Sequence, residues 1–365
     1  MLNIIFITLF VFLSSDNYIF CNENNELNNN EINHLILDPS HLFPLLKNEV
    51  ILFEEFIRKH DKPYGNDLTE KAKRFKIFRE NLLKIRLLNQ NELGSAVYGI
   101  TSVTDLTYDE FKNYLGLRPD LYQPNDNDNQ QEIDDNYFFD NNNNTPDSFD
   151  WRNKLGVVSN VKNQEQCGSC WAFSATGNIE GVWALKRNES VSLSEQELVD
   201  CDKYDNGCGG GLPTNAFKTI IQLGGIESES DYPYDAQNEK CHFRKSLSHV
   251  KINSYVELPK NETYMKNYLF HNGPISIGIN ANAMQFYFGG ISHPPSWLCN
   301  PGSLDHGVLI VGYGTGKTRI LHQTQPYWII KNSWGKTWGE KGYYRVYRGS
   351  DTCGVSQMAS SAVVN

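Results

Sequence analysis

Several things are scarce in this chain, and each scarcity removes a class of function. No apolar run is long enough to cross a bilayer. The longest, from Leu2 to Leu13, has the length of a secretory signal core rather than of a span, although no Lys or Arg precedes it. A signal peptide is therefore expected over residues 1–21, with no membrane span after it. Basic blocks are also missing. Residues 1–145 carry 13 Lys+Arg against 23 Asp+Glu, and residues 146–365 carry 20 of each. The net charge of −10 thus lies wholly in the first part, and nucleic-acid binding is left without support. Cysteine is nearly absent from the first 166 residues, where Cys21 stands alone in the signal segment. Seven others follow: Cys167, Cys170, Cys201, Cys208, Cys241, Cys299 and Cys353. In a secreted chain most should pair, and an odd count leaves one thiol free.

Composition divides the rest. Residues 22–47 are rich in Asn and Glu and too polar to pack, so they are expected to be disordered. Residues 48–121 form the next segment, and 48–92 of it read as helical. In "EKAKRFKIFRENLLKIRLLNQNEL" the residues Phe75, Phe78, Leu82 and Ile85 recur at helical spacing, opposite a solvated basic face. Residues 122–145, "YQPNDNDNQQEIDDNYFFDNNNNT", form a second acidic, low-complexity stretch. It reads as an exposed linker open to proteolytic nicking. From 146 to 365 the composition turns globular. Helices are expected from Ser169, after the N-cap Ser194, and across "NAFKTIIQLGG" up to Gly224. Strands are expected in "PISIGINA", "HGVLIVGYGTG", "PYWIIKNSW" and "GYYRVYRG". A helical half followed by a β-rich half is an α+β pattern.

The pair in "QEQCGSCWAF" allows three readings. With Cys201 and Cys208, Cys167 and Cys170 could hold zinc. They could be a redox pair, although no strand leads into them. Or one is structural and the other, at a helix start where N–H groups stabilise a thiolate, is a nucleophile. His306 in "SLDHGVLIVGYG" and Asn332 in "WIIKNSWGKTWGEKGYY" supply a base and an orienting amide from distant segments.

Four blocks in order, "QEQCGSCWAFSA", "CGGGLPTNAF", "LDHGVLIVGYG" and "KNSWGKTWGEKGYYRV", resemble the papain family of cysteine peptidases across residues 146–365. The prosegment is similar too: Glu70, Arg74, Phe78, Asn81, Ile85 and Asn89 match the family's ERFNIN helix. In "GITSVTD" the family's G-x-N-x-F-x-D motif keeps Gly99 and Asp105, while Thr101 and Val103 replace Asn and Phe. The stretches "NAMQFYFGGIS" and "CGVSQMASSAVV" most resemble the cathepsin F branch.

The resemblance implies a two-lobed fold, with a helical left lobe and a β-barrel-like right lobe, behind a helical inhibitory prodomain. It implies a Cys170 nucleophile, a His306 base, an orienting Asn332 and an oxyanion-hole donor in Gln164. Trp334 would shield the His306–Asn332 contact. Disulfides Cys167–Cys208, Cys201–Cys241 and Cys299–Cys353 would leave Cys170 free. Gly210 and Gly211 would bind an extended peptide. Leu212, Pro213, Gly278, Leu304, Gly307 and Met358 would line a pocket for an apolar or aromatic side chain, second on the acyl side of the scissile bond. No insertion resembles an occluding loop, which points to endopeptidase action. A non-catalytic homologue is disfavoured, because Gln164, Cys170, His306 and Asn332 are all present.

The expected product is a monomeric zymogen in a lysosome-like compartment or outside the cell, activated in acid. It needs no cofactor or metal. It acts on proteins or peptides and is restrained by its own propeptide and by cystatin-like inhibitors. Of three N-x-[ST] sequons, Asn188 and Asn261 are expected to carry glycans, and Asn143 lies in the linker.

Overall fold

The computed structural model describes residues 39–123, 145–319 and 322–365, with side chains from residue 48 onward. The signal peptide, Cys21, most of the Asn-rich segment, the linker from residue 124 and Asn143 lie outside the described residues. The described residues fall into two units, divided after Glu55. In the first, the described residues belong to helix α1 (Pro39–Lys59). That helix starts well before the boundary expected at residue 48. Pro39 suits a first helical position, and the apolar residues Leu42, Phe43, Leu45 and Leu46 continue the pattern upstream.

Helix α2 (Leu68–Asn91) opens on Asp67, whose carboxylate accepts from the N–H groups of Thr69 and Glu70. The spacing of the ERFNIN residues has a physical cause here. Phe78 and Ile85 are buried. Between them, Asn81 donates to the carbonyls of Thr104 (2.9 Å) and Leu106 (2.8 Å). Asn89 exchanges two bonds with the Tyr98 backbone, at 2.8 and 3.1 Å. Arg74 bridges Glu70 (2.6 Å) and Glu110 (2.7 Å) and reaches the Asp105 carbonyl (3.1 Å). One helix face thereby fixes the course of residues 98–110.

That course meets the second half of the chain. Strand β1 (Val97–Tyr98) pairs antiparallel with a later strand, Tyr287–Gly289. Thr101, where the motif usually has Asn, donates to the Gln285 carbonyl at 2.8 Å. Val103 is buried. Asp105 takes Lys62 (2.9 Å) and the Tyr64 hydroxyl. The altered motif is still a docked one. A short helix, α3 (Tyr108–Phe111), follows behind a Thr107–Glu110 capping box.

After strand β2 (Phe149–Asp150) comes the long helix α4 (Cys170–Arg187). Every residue from Cys170 to Val182 is buried, as suits a helix enclosed on all sides. Helices α5 (Glu195–Cys201) and α6 (Pro213–Leu223) pack beside it. The first is capped by Ser194 on the Glu197 N–H. The second begins on Pro213 and stops at Gly224, whose φ of +84° favours glycine. Trp171, Ile179, Phe217, Ile220 and Tyr255 share the core of this lobe.

The β-rich half contains β3 (Ser254–Glu257), helix α7 (Glu262–Asn272), β4 (Ile275–Ile279), β5 (Tyr287–Gly289) and β6 (Ile291–Ser292). It continues with β7 (His306–Lys317), β8 (Thr324–Lys331), β9 (Tyr343–Tyr347) and β10 (Ala359–Val363). The expected barrel-like closure is corrected here. The strands form one open eight-stranded sheet in the order β3-β10-β4-β7-β8-β9-β6, with β2 on β7. Its terminal strands β3 and β6 do not pair with each other.

Candidate active site

Two elements carry the two residues expected to react. Helix α4 begins at Cys170, so the sulfur sits among the free N–H groups of a helix start. Strand β7 begins at His306, and the next residue, Gly307, donates its N–H to Cys170 Sγ at 3.1 Å. Both Cys170 and His306 are fully buried. His306 Nε2 lies 2.7 Å from Asn332 Oδ1. That amide oxygen also accepts the Ser333 N–H (2.8 Å), which identifies it as the acceptor. Nε2 therefore carries the hydrogen, and Nδ1 of the neutral ring is bare. Nδ1 has no hydrogen-bond partner. The Trp334 indole stacks on the His306 ring, with centroids 4.7 Å apart and planes at 26°.

The cysteines resolve as one structural partner and one free thiol. Cys167 pairs with Cys208, Cys201 with Cys241, and Cys299 with Cys353. Cys170 is the free cysteine among the described residues. The Cys167–Cys170 redox pair and the four-cysteine zinc site are both excluded by these pairings. Among the described residues, Asp200, Glu239 and His242 could converge on a metal ion; none belongs to the Cys170 site.

Gln164 is buried and anchored on both ends of its amide. Its Oε1 accepts from Ser333 Oγ (2.6 Å), and its Nε2 donates to the Cys167 carbonyl (2.9 Å). Nε2 also donates to the carbonyl of Tyr114 at 3.1 Å, as does Trp334 Nε1 at 3.2 Å. Tyr114 belongs to the prosegment, so a prosegment carbonyl occupies this donor pair.

The prosegment continues along the expected peptide track. Gly211 N–H donates to the Gly116 carbonyl (2.8 Å), and Arg118 N–H donates to the Gly211 carbonyl (3.0 Å). The result is a parallel bridge of Leu117 with Gly211. The Leu117 side chain packs into a cluster with Cys170, Leu212, Leu304 and Met358. A Cβ on Gly278 would come within 2.7 Å of Leu117 Cδ2, so glycine there keeps the space open. Four of the six expected pocket residues thus gather around one prosegment leucine. The other two serve differently: Pro213 opens α6, and Gly307 lies against Cys170. Gly210, at φ +104°, precedes the bridge.

This cover sets the electrostatics. Burial pushes the Cys170 thiol up to about 12, against the opposing Gly307 N–H. Burial also pushes His306 down to about 4, against the Asn332 contact. In the covered state both groups are neutral near pH 7.

Sequence reasoning missed several supports. Ser333 orients Gln164, and Tyr234 donates to the Gln164 carbonyl at 2.8 Å. Lys331 donates to Ser159 Oγ (2.8 Å), which in turn donates to Glu180, behind Asn332. Membership of the block "KNSWGKTWGEKGYYRV" is the available signal for Lys331 and Ser333. Tyr234, in "YPYD", carried none. The expected glycan sites are both exposed. Asn188 is the left-handed residue ending α4, and Asn261 caps α7.

The family model "Papain family cysteine protease" matches residues 145–363, and "Cathepsin propeptide inhibitor domain" matches residues 53–111. The chain is 52% identical to cathepsin F of Drosophila melanogaster over 314 residues, covering 86% of this chain and 50% of that one. It is 47% identical to cathepsin F of Mus musculus, covering 86% and 65%. The chain therefore spans between half and two thirds of these relatives. The digestive procathepsin L2 proteinase of Tenebrio molitor superposes with a TM-score of 0.75 at 33% identity, covering 87% of this chain and all of that one. Its own prosegment lies over the site as an intramolecular inhibitor, and by its matched domains the chain belongs to the papain family of cysteine proteases.

Proposed function

We propose that the protein is the zymogen of a cysteine endopeptidase whose uncovered site runs on Cys170, His306 and Asn332. The observation that carries this reading is a free cysteine at a helix start, touched by Gly307, whose neighbour His306 has one nitrogen on Asn332 and the other bare. Bare Nδ1 is the base for the thiol proton. Once the prosegment leaves, water and a polar substrate restore solvation, and the thiolate–imidazolium pair becomes accessible. Cys170 then attacks the scissile carbonyl. His306 protonates the leaving amine, and later takes a proton from the water that cleaves the acyl-enzyme. Gln164 Nε2 and the Cys170 N–H stabilise the oxyanion. Losing one such donor typically costs about 3 kcal/mol in the barrier.

Leu117 supports the substrate preference. The space it fills is lined by Leu212, Gly278, Leu304 and Met358, none of which could pair with Arg. The reading is therefore a preference for Leu, Phe or similar residues at the second position on the acyl side of proteins and peptides. The route is secretory, to an acidic compartment or outside the cell. Glycans sit on Asn188 and Asn261, cystatin-like proteins serve as inhibitors, and the enzyme is monomeric. Cleavage in residues 122–145 separates the prosegment, and acid promotes it.

The test is mass-resolved thiol alkylation of the acid-processed protein, alongside hydrolysis of Leu- or Phe-containing peptides. One labelled cysteine at position 170, with activity lost in step, is the expected outcome. Label without loss of activity would sink the nucleophile assignment. Faster cleavage after Arg than after Leu at the second acyl-side position would sink the pocket assignment.

A further inference from the structure

We propose that Tyr234 is a positioning residue for the oxyanion donors: its hydroxyl ties the Gln164 main chain to Ser169, the residue that opens the nucleophile helix. This deepens the reading above and rests on Cys170 and Gln164 acting as stated there.

The two donors must hold a fixed separation, yet the backbone between them is a turn and a bend without regular structure. Glu165 in that turn has φ +55°, a left-handed conformation that a non-glycine residue keeps only where its surroundings fix it. Known anchors act on parts of the loop. The Cys167–Cys208 bridge and the Gly168 N–H to Cys208 carbonyl bond (3.0 Å) hold its middle. Ser333 holds Gln164 from the opposite lobe, through backbone (2.8 Å) and side chain. Tyr234 joins the two ends. Its Oη is 2.8 Å from the Gln164 carbonyl and 2.6 Å from Ser169 Oγ.

The proton inventory fixes the direction of the chain. Two carbonyls compete for the two hydroxyl hydrogens, Gln164's at 2.8 Å from Tyr234 Oη and Cys167's at 3.4 Å from Ser169 Oγ; the shorter contact takes the Tyr234 hydrogen, so Ser169 donates to Tyr234 rather than to Cys167. Ser169 occupies the N-cap of α4, where a serine hydroxyl ordinarily accepts a helix N–H. Here it makes no such bond. It is fully buried and its hydroxyl faces Tyr234. A cap bond has been given up for a cross-link. Tyr234 is itself located by an edge contact with Phe173, one turn along α4 (4.9 Å), and by its N–H on Glu229 (3.0 Å). Glu229 pairs with Lys162.

The experiment compares processed wild type with Tyr234→Phe, which keeps the ring on Phe173 and removes only the hydroxyl. Three readouts are taken: kcat and KM on a peptide amide, and the rate of Cys170 alkylation by iodoacetamide. Alkylation needs the thiolate but develops no oxyanion. The expected result is a fall in kcat of about 10- to 100-fold, with KM and the alkylation rate each changed by no more than about twofold. Ser169→Ala should move in the same direction by less, and the double variant should be no worse than Tyr234→Phe alone. An unchanged kcat, or kcat and alkylation falling together, overturns the proposal. If Tyr234→Phe yields no processed enzyme, the same readouts on Ser169→Ala decide it. If alkylated wild type still hydrolyses peptide, the parent reading fails, and this one with it.

Discussion

The prosegment and the peptidase domain lie in one chain and differ in covalent bracing. The peptidase domain, with balanced charge, carries three disulfides and a large apolar core around Trp171, Ile179 and Phe217. The described prosegment has no cysteine. Its course is set by side-chain anchors: Lys62 on Asp105, Arg74 on Glu70 and Glu110, Asn81 and Asn89 on backbone. Covalent links and buried hydrocarbon do not answer to pH, whereas ion pairs do. Ion pairs and buried hydrocarbon occur in both parts, as at Arg74–Glu110 and Lys162–Glu195, but the disulfides lie in the peptidase domain, so the part that must leave has no covalent brace once acid weakens its ion pairs.

The comparison is sharpened most by silencing the proposed nucleophile. Cys170→Ala should lower peptide hydrolysis by at least about 10,000-fold and stop self-processing, so that prosegment release is observable without cleavage. Activity near wild type would end the assignment. Removing a disulfide tests the durable half. The Cys201→Ser/Cys241→Ser pair should cost the peptidase domain about 2–5 kcal/mol, read from urea unfolding of processed enzyme. Docking of the prosegment should be unchanged. A larger effect on docking than on unfolding would break the division drawn above.

The removable half is tested next. Leu117 is 5% exposed, and Leu117→Ala should weaken docking by about 2–4 kcal/mol, seen as faster activation of the zymogen. Within the prosegment, Arg74→Ala should cost about 1–3 kcal/mol, seen as a lower urea midpoint for its release in the Cys170→Ala background. Burial alone would raise the Glu110 carboxyl, but Arg74 and the Thr107 N–H hold it below its ordinary value of 4.5. Its contribution is therefore present above pH 4.5 and lost as pH falls through the lowered value. Arg74→Ala should remove that strongly acidic step. An unchanged step would mean that another pair carries it.

How much of this was legible in the sequence follows from what kind of contact each feature needs. The ERFNIN spacing and the four blocks marked the prosegment helix, Cys170, His306, Asn332 and Gln164, because each sits in a contiguous stretch with its own pattern. Helix α7 was overlooked, although Tyr264, Met265, Tyr268 and Leu269 are buried at helical spacing. The short strands β1, β5 and β6 are set by pairing across distant segments, and two or three residues carry no period to read. The α+β fold is legible, but the openness of its sheet is not, because closure depends on whether terminal strands meet, which no local pattern encodes. Tyr234 was invisible for a similar reason. Its partners Gln164 and Ser169 lie 70 and 65 residues away, and a tyrosine in a Pro-flanked turn has many uses. The pocket residues were named as a set, but the structure alone separates the four that meet Leu117 from Pro213 and Gly307.

The smallest expected effect concerns the mildly acidic range, where Glu110 is silent. His60 lies in the prosegment against the Phe56 ring (5.1 Å), with its Nε2 buried and without a hydrogen-bond partner. Burial, then Lys59 and Lys62, push its pKa below 6.5, and Asp105 opposes them. The fold therefore accommodates the neutral ring. Its contribution is present above pH 6.5 and lost as pH falls toward the lowered value, since the unfolded chain binds the proton more tightly. Two buried carboxyls work the other way. Burial raises Glu92 to about 7, against donors that include the His293 N–H, and Asp305 to about 6, against the Ala281 N–H and the Tyr108 hydroxyl. Both favour the docked state as pH falls. His60→Gln in the Cys170→Ala zymogen should thus flatten the rise in prosegment release between about pH 6.5 and 5, by no more than about 1 kcal/mol, or fivefold in rate. Glu92→Gln should steepen it, because the opposing proton uptake is gone. Identical slopes for all three proteins would mean that acid acts on neither group, and that the prosegment loosens only where Glu110 titrates.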